Sequence, residues 1–444
     1  MLDDTICAIS TANGIGAISI VRVSGSDSLS VALKISSKDN FIPRVATLCD
    51  IYDSSKNIID EVLVIYFKAP YSFTGEDIVE FHCHGGVAVC NIILDELVSN
   101  SIRLAYGGEF SKRAFLNNKI DLSKANAISS LIEARSKDAV KLLARQLKGE
   151  LSNFVNDIRE ELLYILAYSE VGIDYADEDL PSNIQLNIQN RLKNIIKKLK
   201  NTLKSSQRRD TFLNGFKVCI IGKPNVGKSS LLNRFLDYDR AIVSSIKGTT
   251  RDSIEESIKI GTHIIKIVDT AGIRHSVNKI EKIGIEKSFE LVNESDIIIA
   301  LFDASKIVSK DDKKILDLIE NLSKDILIVV NKSDLKMRFD TSLLKDFIAI
   351  STKNDINALL YKLEILLDSK TSNHDTILIA KQQVLCVENT LDNIISSQNL
   401  IIDGQLELFS YHINEAIKNI SDITRPYDNN EMLDIMFGEF CLGK

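Results

Sequence analysis

Residues 216–229, FKVCIIGKPNVGKS, constrain this chain more than any other stretch. Phe216 to Ile221 is a short apolar run rich in β-formers, which predicts a buried strand. It leads straight into Gly222-Lys223-Pro224-Asn225-Val226-Gly227-Lys228-Ser229, which satisfies G-x-x-x-x-G-K-[ST] at every fixed position. The SLLNRFL that follows reads as the opening turns of an amphipathic helix. A glycine turn met by chance would lack these flanks; strand, loop and helix together are the context in which the motif cradles a polyphosphate. The glycines let successive N–H groups and the helix N-terminus face the anion. Asn225, Val226, Gly227, Lys228, Ser229 and Ser230 are therefore candidate nucleotide contacts, with Lys228 the charge for the β- and γ-phosphates and Ser229 a hydroxyl for Mg²⁺.

Further motifs follow in order. The stretch Ser244-Ser245-Ile246-Lys247-Gly248-Thr249-Thr250-Arg251-Asp252 is a polar switch sequence, in which Thr250 can complete the Mg²⁺ shell. HIIKIVDTAG, 263–272, is a strand ending in Asp269-Thr270-Ala271-Gly272; Asp269 can hold Mg²⁺ through water and the Gly272 N–H can meet the γ-phosphate. DIIIALFDAS and DILIVVNKSD are continuous apolar runs of the kind found in parallel sheets. The second ends in Asn331-Lys332-Ser333-Asp334, where the Asp334 carboxylate can accept both N–H groups of a guanine edge and would be left unpaired by adenine. Ser351-Thr352-Lys353 then falls where a loop can close over the base. Five motifs in this order resemble the translation-factor-related GTPases, and GTP is the expected ligand. Ile273 stands where small signalling GTPases carry a water-orienting glutamine, so help with hydrolysis must come from elsewhere. Arg251 and Arg274 could serve as arginine fingers, and a surface or salt-bridged role accounts for each equally well.

With 444 residues the chain has room for about three domains, at about 150 residues each. A net charge of −7 argues against a basic coat and leaves open a local nucleic-acid patch. Seven scattered cysteines without a C-x-x-C pair fit a reducing compartment. Neither a long apolar run nor a charged leader appears, so a cytoplasmic protein without a membrane span is expected.

Residues 5–23 give two β-rich runs around a glycine turn, strand patterns recur at 46–51 and 60–67, and DIVEFHCHGG at 77–86 alternates ahead of a helix-like segment, 87–100. This mixture predicts an α+β domain. His82 and His84 share one face of that strand and invite a metal reading, but without a third ligand cluster a packed or surface strand explains them better. From about 121 to 213, and again from about 375 onward, apolar residues recur at helical spacing. The acidic run Asp174–Asp179 lacks the EF-hand glycine and spacing and reads as a solvated loop. Helices on both sides of an intact α/β unit suggest one helical domain interrupted by an insertion. The terminal Cys441-Leu442-Gly443-Lys444 places a cysteine fourth from the end, yet Gly443 and Lys444 do not suit prenylation.

The chain as a whole resembles the MnmE (TrmE) tRNA-modification GTPases. The resemblance is carried by DDTICAISTANGIGAISIVRVSG at the start, SFTGEDIVEFHCHGG at 72–86, GGEFSKRAFLNNKIDLSKANAI at 107–128, the GTPase motifs, KIEKIGIEKS at 279–288 and the closing FCLGK. It implies an α/β and α multidomain protein: an N-terminal α+β folate-binding and dimerisation domain over 1–119, a discontinuous helical domain over 120–213 and 372–444, and an inserted P-loop GTPase domain with a mainly parallel sheet over 214–371. It implies a homodimer that works with the FAD-dependent protein MnmG (GidA) as a heterotetramer on tRNA. The reaction implied installs an aminomethyl or carboxymethylaminomethyl group at C5 of the wobble uridine. Its one-carbon unit would come from a tetrahydrofolate derivative, the 5,10-methylene or 5-formyl form.

By matching motif position, folate would contact Arg22, Glu80, Lys119 and Lys444, and Cys441 is a candidate catalytic thiol. The family uses K⁺ in place of an arginine finger; the matching positions are Asn225, Ser244, Ile246 and Thr249. Glu281 matches the glutamate that orients the attacking water. This sequence departs from the family in TANGIG, where a more proline-rich turn is usual, and in Ser244-Ser245, which keeps a hydroxyl. Two other readings are a regulatory GTPase of ribosome assembly, which would carry a second G domain or an appended GXXG-bearing KH module, and a folate-binding scaffold with a vestigial G domain, against which Lys228, Ser229, Asp269 and Asp334 all count.

Overall fold

The computed structural model describes residues 4–12, 14–134, 136–174, 182–207, 209–238, 256–267, 292–322, 324–371 and 376–425. The chain divides into two compact units, one formed by Met1–Ser129, Gln146–Leu199 and Ala380–Lys444, the other by Ser130–Arg145 and Lys200–Ile379.

In the first unit, strands β1 (Ile6–Ile9), β2 (Ile18–Ser24), β3 (Thr47–Tyr52), β4 (Ile58–Phe67), β5 (Ile78–His84) and β6 (Arg103–Leu104) form one sheet in the order β3-β4-β5-β2-β1-β6. All neighbours are antiparallel except β1 and β6. The expected hairpin over 5–23 is present as β1 and β2. Alternation along the strands sorts the side chains by face. Val21, Val23, Val79, Phe81 and Cys83 are buried in a core with Val31 and Ile35 of the helix Ser28–Ile35 and Ile93 and Leu97 of the helix Val87–Ser99. Arg22, Glu80 and His82 fall on the alternate positions, and the register sets Arg22 directly opposite Glu80. Arg113, only 1% exposed, lies on the helix Glu109–Leu116 and ties it to the sheet's rim. Its guanidinium donates to the Asp4 carbonyl and to the carboxylates of Asp4, Glu76 and Glu109.

The helical part of this unit follows from spacing. Leu151, Val155, Ile158, Leu162 and Ile165 are buried along the helix Glu150–Asp174, and Phe409, Ile413, Ala416 and Ile420 along Leu406–Ser421. Steps of three and four residues put each set on one stripe. The two helices pack on each other, Leu406–Ser421 also on Lys381–Ser397, with Ser169 and Ser410 sharing a buried hydrogen bond of 2.9 Å.

In the second unit, β7 (Phe216–Ile221), β8 (Glu256–Ile260), β9 (His263–Ile267), β10 (Ile297–Asp303), β11 (Asp325–Asn331) and β12 (Ile348–Ala349) form a sheet in the order β12-β11-β10-β7-β9-β8. All pairs are parallel except the β8–β9 edge. Every residue of β10 is buried, Ile297, Ile299 and Leu301 on one face and Ile298, Ala300 and Phe302 on the other. A parallel sheet covered on both sides has no polar face, which is why its strands read as continuous apolar runs. Among the described residues, no helix is long and apolar enough to cross a membrane.

Candidate functional site

Because β7, β10, β11 and β12 are parallel, the segments that leave their carboxyl ends gather on one edge of the sheet, the place where open α/β sheets bind ligands. The loop after β7 is residues 222–227, and the helix Lys228–Tyr238 begins directly behind it. Its tight path depends on Gly227, which has φ of +105°; a Cβ there would lie 2.3 Å from Asn331 Nδ2. Asn225 takes the left-handed region at φ +65°, which asparagine tolerates better than most residues. Leu231 N donates to Gly227 O at 2.9 Å. The N–H groups before it, of Lys228, Ser229 and Ser230, belong to the turn that a helix cannot satisfy internally.

Lys228 Nζ donates to Gly222 O at 2.6 Å and to Lys223 O at 2.9 Å. Burial lowers its pKa from the ordinary value, so its charge is held in a partly desolvated place that an anion would complete. An exposed Ser229 stands beside it. A polyphosphate with Mg²⁺ fits this set of donors, Lys228 and the first-turn N–H groups meeting the phosphates and Ser229 the metal. The exposed Asn225 side chain fits a monovalent cation through its amide oxygen. Its backbone carbonyl is already engaged by Lys332 Nζ at 2.9 Å.

At the other end, Asp334 is exposed and its Oδ1 accepts from Ser351 Oγ at 2.6 Å. That hydrogen bond holds the carboxyl below its ordinary pKa, so it remains an acceptor-only group suited to a pair of N–H donors. Asn331 is fully buried, and its amide is a joint between loops. Nδ2 donates to Val226 O at 2.8 Å and to Thr352 Oγ1 at 3.2 Å, while Oδ1 accepts from Thr352 N at 3.0 Å. Ser333 N donates to Ile350 O at 3.0 Å. Phosphate loop, 331–334 and 351–353 are therefore one hydrogen-bonded assembly.

Three residues of this assembly were not singled out from sequence. Asp303, at the end of β10, binds Lys332 Nζ at 2.6 Å and accepts from Ser305. Burial pushes its carboxyl up, and these partners outweigh burial and leave it below the ordinary value. Its position as a carboxylate closing an apolar strand was the available signal. Arg234, on the helix behind the loop, donates to Thr352 O at 2.8 Å and to Lys353 O; nothing in its helical surroundings marks it. Lys223 sits at an open position of the motif and carries no signal of its own.

Arg22 and Glu80 meet on the face of the N-terminal sheet opposite the Val21 and Phe81 core, both largely buried, Arg22 Nε and Nη2 lying 2.9 and 2.8 Å from Glu80 Oε1. His82 Nε2 lies 3.2 Å from Glu80 Oε2. The Arg22 guanidinium stands over the rings of Phe73 and Phe110, 5.8 and 5.7 Å from their centroids. Lys119 is exposed and donates to Pro70 O at 2.7 Å, so it joins the same 70–76 loop that carries Phe73. A carboxylate with lone pairs to spare beside two aromatic rings fits a flat heterocycle bearing N–H donors. His84 pairs instead with Asp60, at 2.7 Å.

Ser244, Ser245, Ile246, Lys247, Gly248, Thr249, Thr250, Asp269, Thr270, Ala271, Gly272, Glu281, Cys441 and Lys444 lie outside the described residues, as do Arg251, Ile273, Arg274 and most of the acidic run after Asp174.

A model of the GTP-binding protein TrmE N-terminus matches residues 5–119, and one of the MnmE helical domain matches residues 122–441. A tRNA modification GTPase MnmE of Aliarcobacter butzleri is 64% identical over 443 residues, covering 100% of this chain and 99% of its own. Its counterpart in Sulfurimonas denitrificans is 55% identical over 446 residues, with 100% of both chains covered. Among solved structures, the FeoB G-domain of Methanococcus jannaschii matches 36% of this chain and 98% of its own at 18% identity, with a TM-score of 0.26. With such identity sustained over both whole chains, this chain belongs to the MnmE (TrmE) family of tRNA modification GTPases.

Proposed function

We propose that this chain hydrolyses GTP with Mg²⁺ and K⁺ bound, and that this cycle drives modification at C5 of the tRNA wobble uridine. Work on the uridine would be shared with the FAD-dependent protein MnmG in a heterotetramer built on a homodimer, in the cytoplasm, with a tetrahydrofolate derivative as one-carbon donor. The proposed division of the chain is a folate and dimerisation domain over 1–119, a helical domain over 120–213 and 372–444, and the GTPase domain over 214–371.

The observation that carries the reading is the joint assembly at one sheet edge. Lys228 and the helix N-terminus stand ready for phosphates, and Asp334 with Ser351 for a guanine. Within it, Gly227 gives close approach, Lys332 and Asn331 tie the phosphate end to the base end, and Asp334 selects the base. A monovalent cation at Asn225 would supply positive charge where the transition state gathers negative charge. Ser244, Ile246 and Thr249 are its other proposed ligands. Glu281 is proposed to orient the attacking water, since Ile273 has no group that could; Thr250 and Asp269 complete the Mg²⁺ site.

The test is GTP hydrolysis by the full chain in KCl against NaCl at equal ionic strength. A rate at least about tenfold higher in potassium is expected, lost in Asn225→Ala and reduced in Glu281→Ala. Equal rates in the two salts would sink the potassium mechanism.

Folate binding is proposed at Arg22, Glu80, Lys119 and Lys444, with Cys441 as a reactive thiol. Glu80→Gln keeps the shape and removes the charge paired to Arg22. It is expected to weaken binding of 5-formyltetrahydrofolate by about tenfold or more in a calorimetric titration. Unchanged affinity in that variant counts directly against the site.

A further inference from the structure

Lys223 occupies the second position of the phosphate loop, one that the motif leaves open. Its ammonium lies 2.5 Å from Asp312 Oδ2. Asp312 is the third residue of the helix Lys310–Glu320 and closes a capping box with Ser309. Oδ2 also accepts from Ser309 N at 2.8 Å and Ser309 Oγ at 2.7 Å. The residue is fully buried, and Oδ1 has no hydrogen-bond partner.

A capping box needs no such depth. A cap on a surface helix leaves its second oxygen in water, whereas this carboxylate has been withdrawn from water with only one side satisfied. A buried charge of this kind persists where a paired cation compensates it, and here the cation comes from the phosphate loop. Burial pushes the Asp312 carboxyl up; Lys223 and Ser309 outweigh it and keep it ionised below its ordinary value. The contact continues toward the nucleotide site. The Lys223 carbonyl, with that of Gly222, is the seat on which the Lys228 ammonium rests.

We propose that Lys223 and Asp312 are a positioning pair, which sets the phosphate loop by fixing the carbonyls that seat Lys228. Asp312 touches no substrate. It acts through Lys223 on the loop, and through the loop on the lysine that meets the phosphates. The proposal rests on reading residues 222–229 as the phosphate cradle.

Titration of the full chain with fluorescent GDP and GTP analogues, beside thermal unfolding, tests it. Lys223→Met leaves Asp312 buried and unpaired, so it loses stability as well as affinity. Lys223→Met combined with Asp312→Leu removes both charges and is expected to regain stability. The nucleotide defect is expected to persist in that double variant, at about 10- to 100-fold in affinity and in KM, with kcat changed far less. Lys223→Arg keeps the pair and is expected to bind within about threefold of the parent.

A double variant with the parent's unfolding temperature and the parent's affinity overturns the proposal and leaves the pair a purely structural feature. Should the double variant not fold, Asp312→Asn, similar in shape without the charge, decides the matter: affinity within about twofold of the parent has the same meaning. A Lys228→Met control separates the two levels. If that variant still binds nucleotide normally, the phosphate-cradle reading itself fails. If it loses binding while the Lys223 and Asp312 variants keep it, the positioning pair alone fails.

Discussion

Asp334→Asn is expected to weaken GDP and GTP binding by about 10³- to 10⁵-fold and to raise affinity for xanthosine nucleotides. Guanine presents two N–H donors on the edge that a carboxylate can take together. The Asp334 carboxylate is fixed by Ser351 Oγ at 2.6 Å, which keeps it an acceptor. Asparagine sets an amide N–H₂ against one of those donors. Xanthine has a carbonyl at that place, so the mismatch becomes a match. Competition titrations with GDP and XDP give the outcome directly. If the variant prefers GDP as the parent does, the base is read elsewhere and Asp334 serves only to shape the 351–353 loop.

The second large effect is expected at Lys228. Lys228→Met should reduce single-turnover GTP hydrolysis by about 10²- to 10³-fold, the scale of losing one preorganised charge from a phosphoryl-transfer site. The folded state should survive, because the loop's shape is held by other contacts. Gly227 supplies the turn, and Asn331 and Lys332 bond the Val226 and Asn225 carbonyls at 2.8 and 2.9 Å. The Gly222 and Lys223 carbonyls lose a donor, a loss of about 1 kcal/mol at most for each if water replaces it. Hydrolysis and thermal unfolding measured together separate the cases. Parent-like hydrolysis in a folded variant would show that Lys228 does not meet the phosphates.

These two residues were legible because their signals are local. The strand ending at Ile221, the glycine spacing after it and the lysine at its fixed place are neighbours in sequence, and so are Asn331 and Asp334. Apolar runs with no polar alternation marked β10 and β11 as strands covered on both faces, and that is how they lie. The hairpin of β1 and β2 and the helix after β5 were equally readable from alternation and turn residues. Arg22 and Glu80, by contrast, carry no local signal of a site, and only the family resemblance singled them out.

What the sequence by itself determined is the order of elements and the chemistry of the loops, because backbone preference and periodicity act over a few residues. Only the tertiary structure decided which charges meet. Arg22 and Glu80 face each other because β2 and β5 pair in one register; a slip of one residue would send one of them to the opposite face. Asp303 reaches Lys332, and Asp312 reaches Lys223 across 89 residues, because neighbouring strands end on the same sheet edge. No periodicity encodes such pairs. Each is set by packing between segments distant in the chain, where burial removes water and makes the partner of each charge decisive.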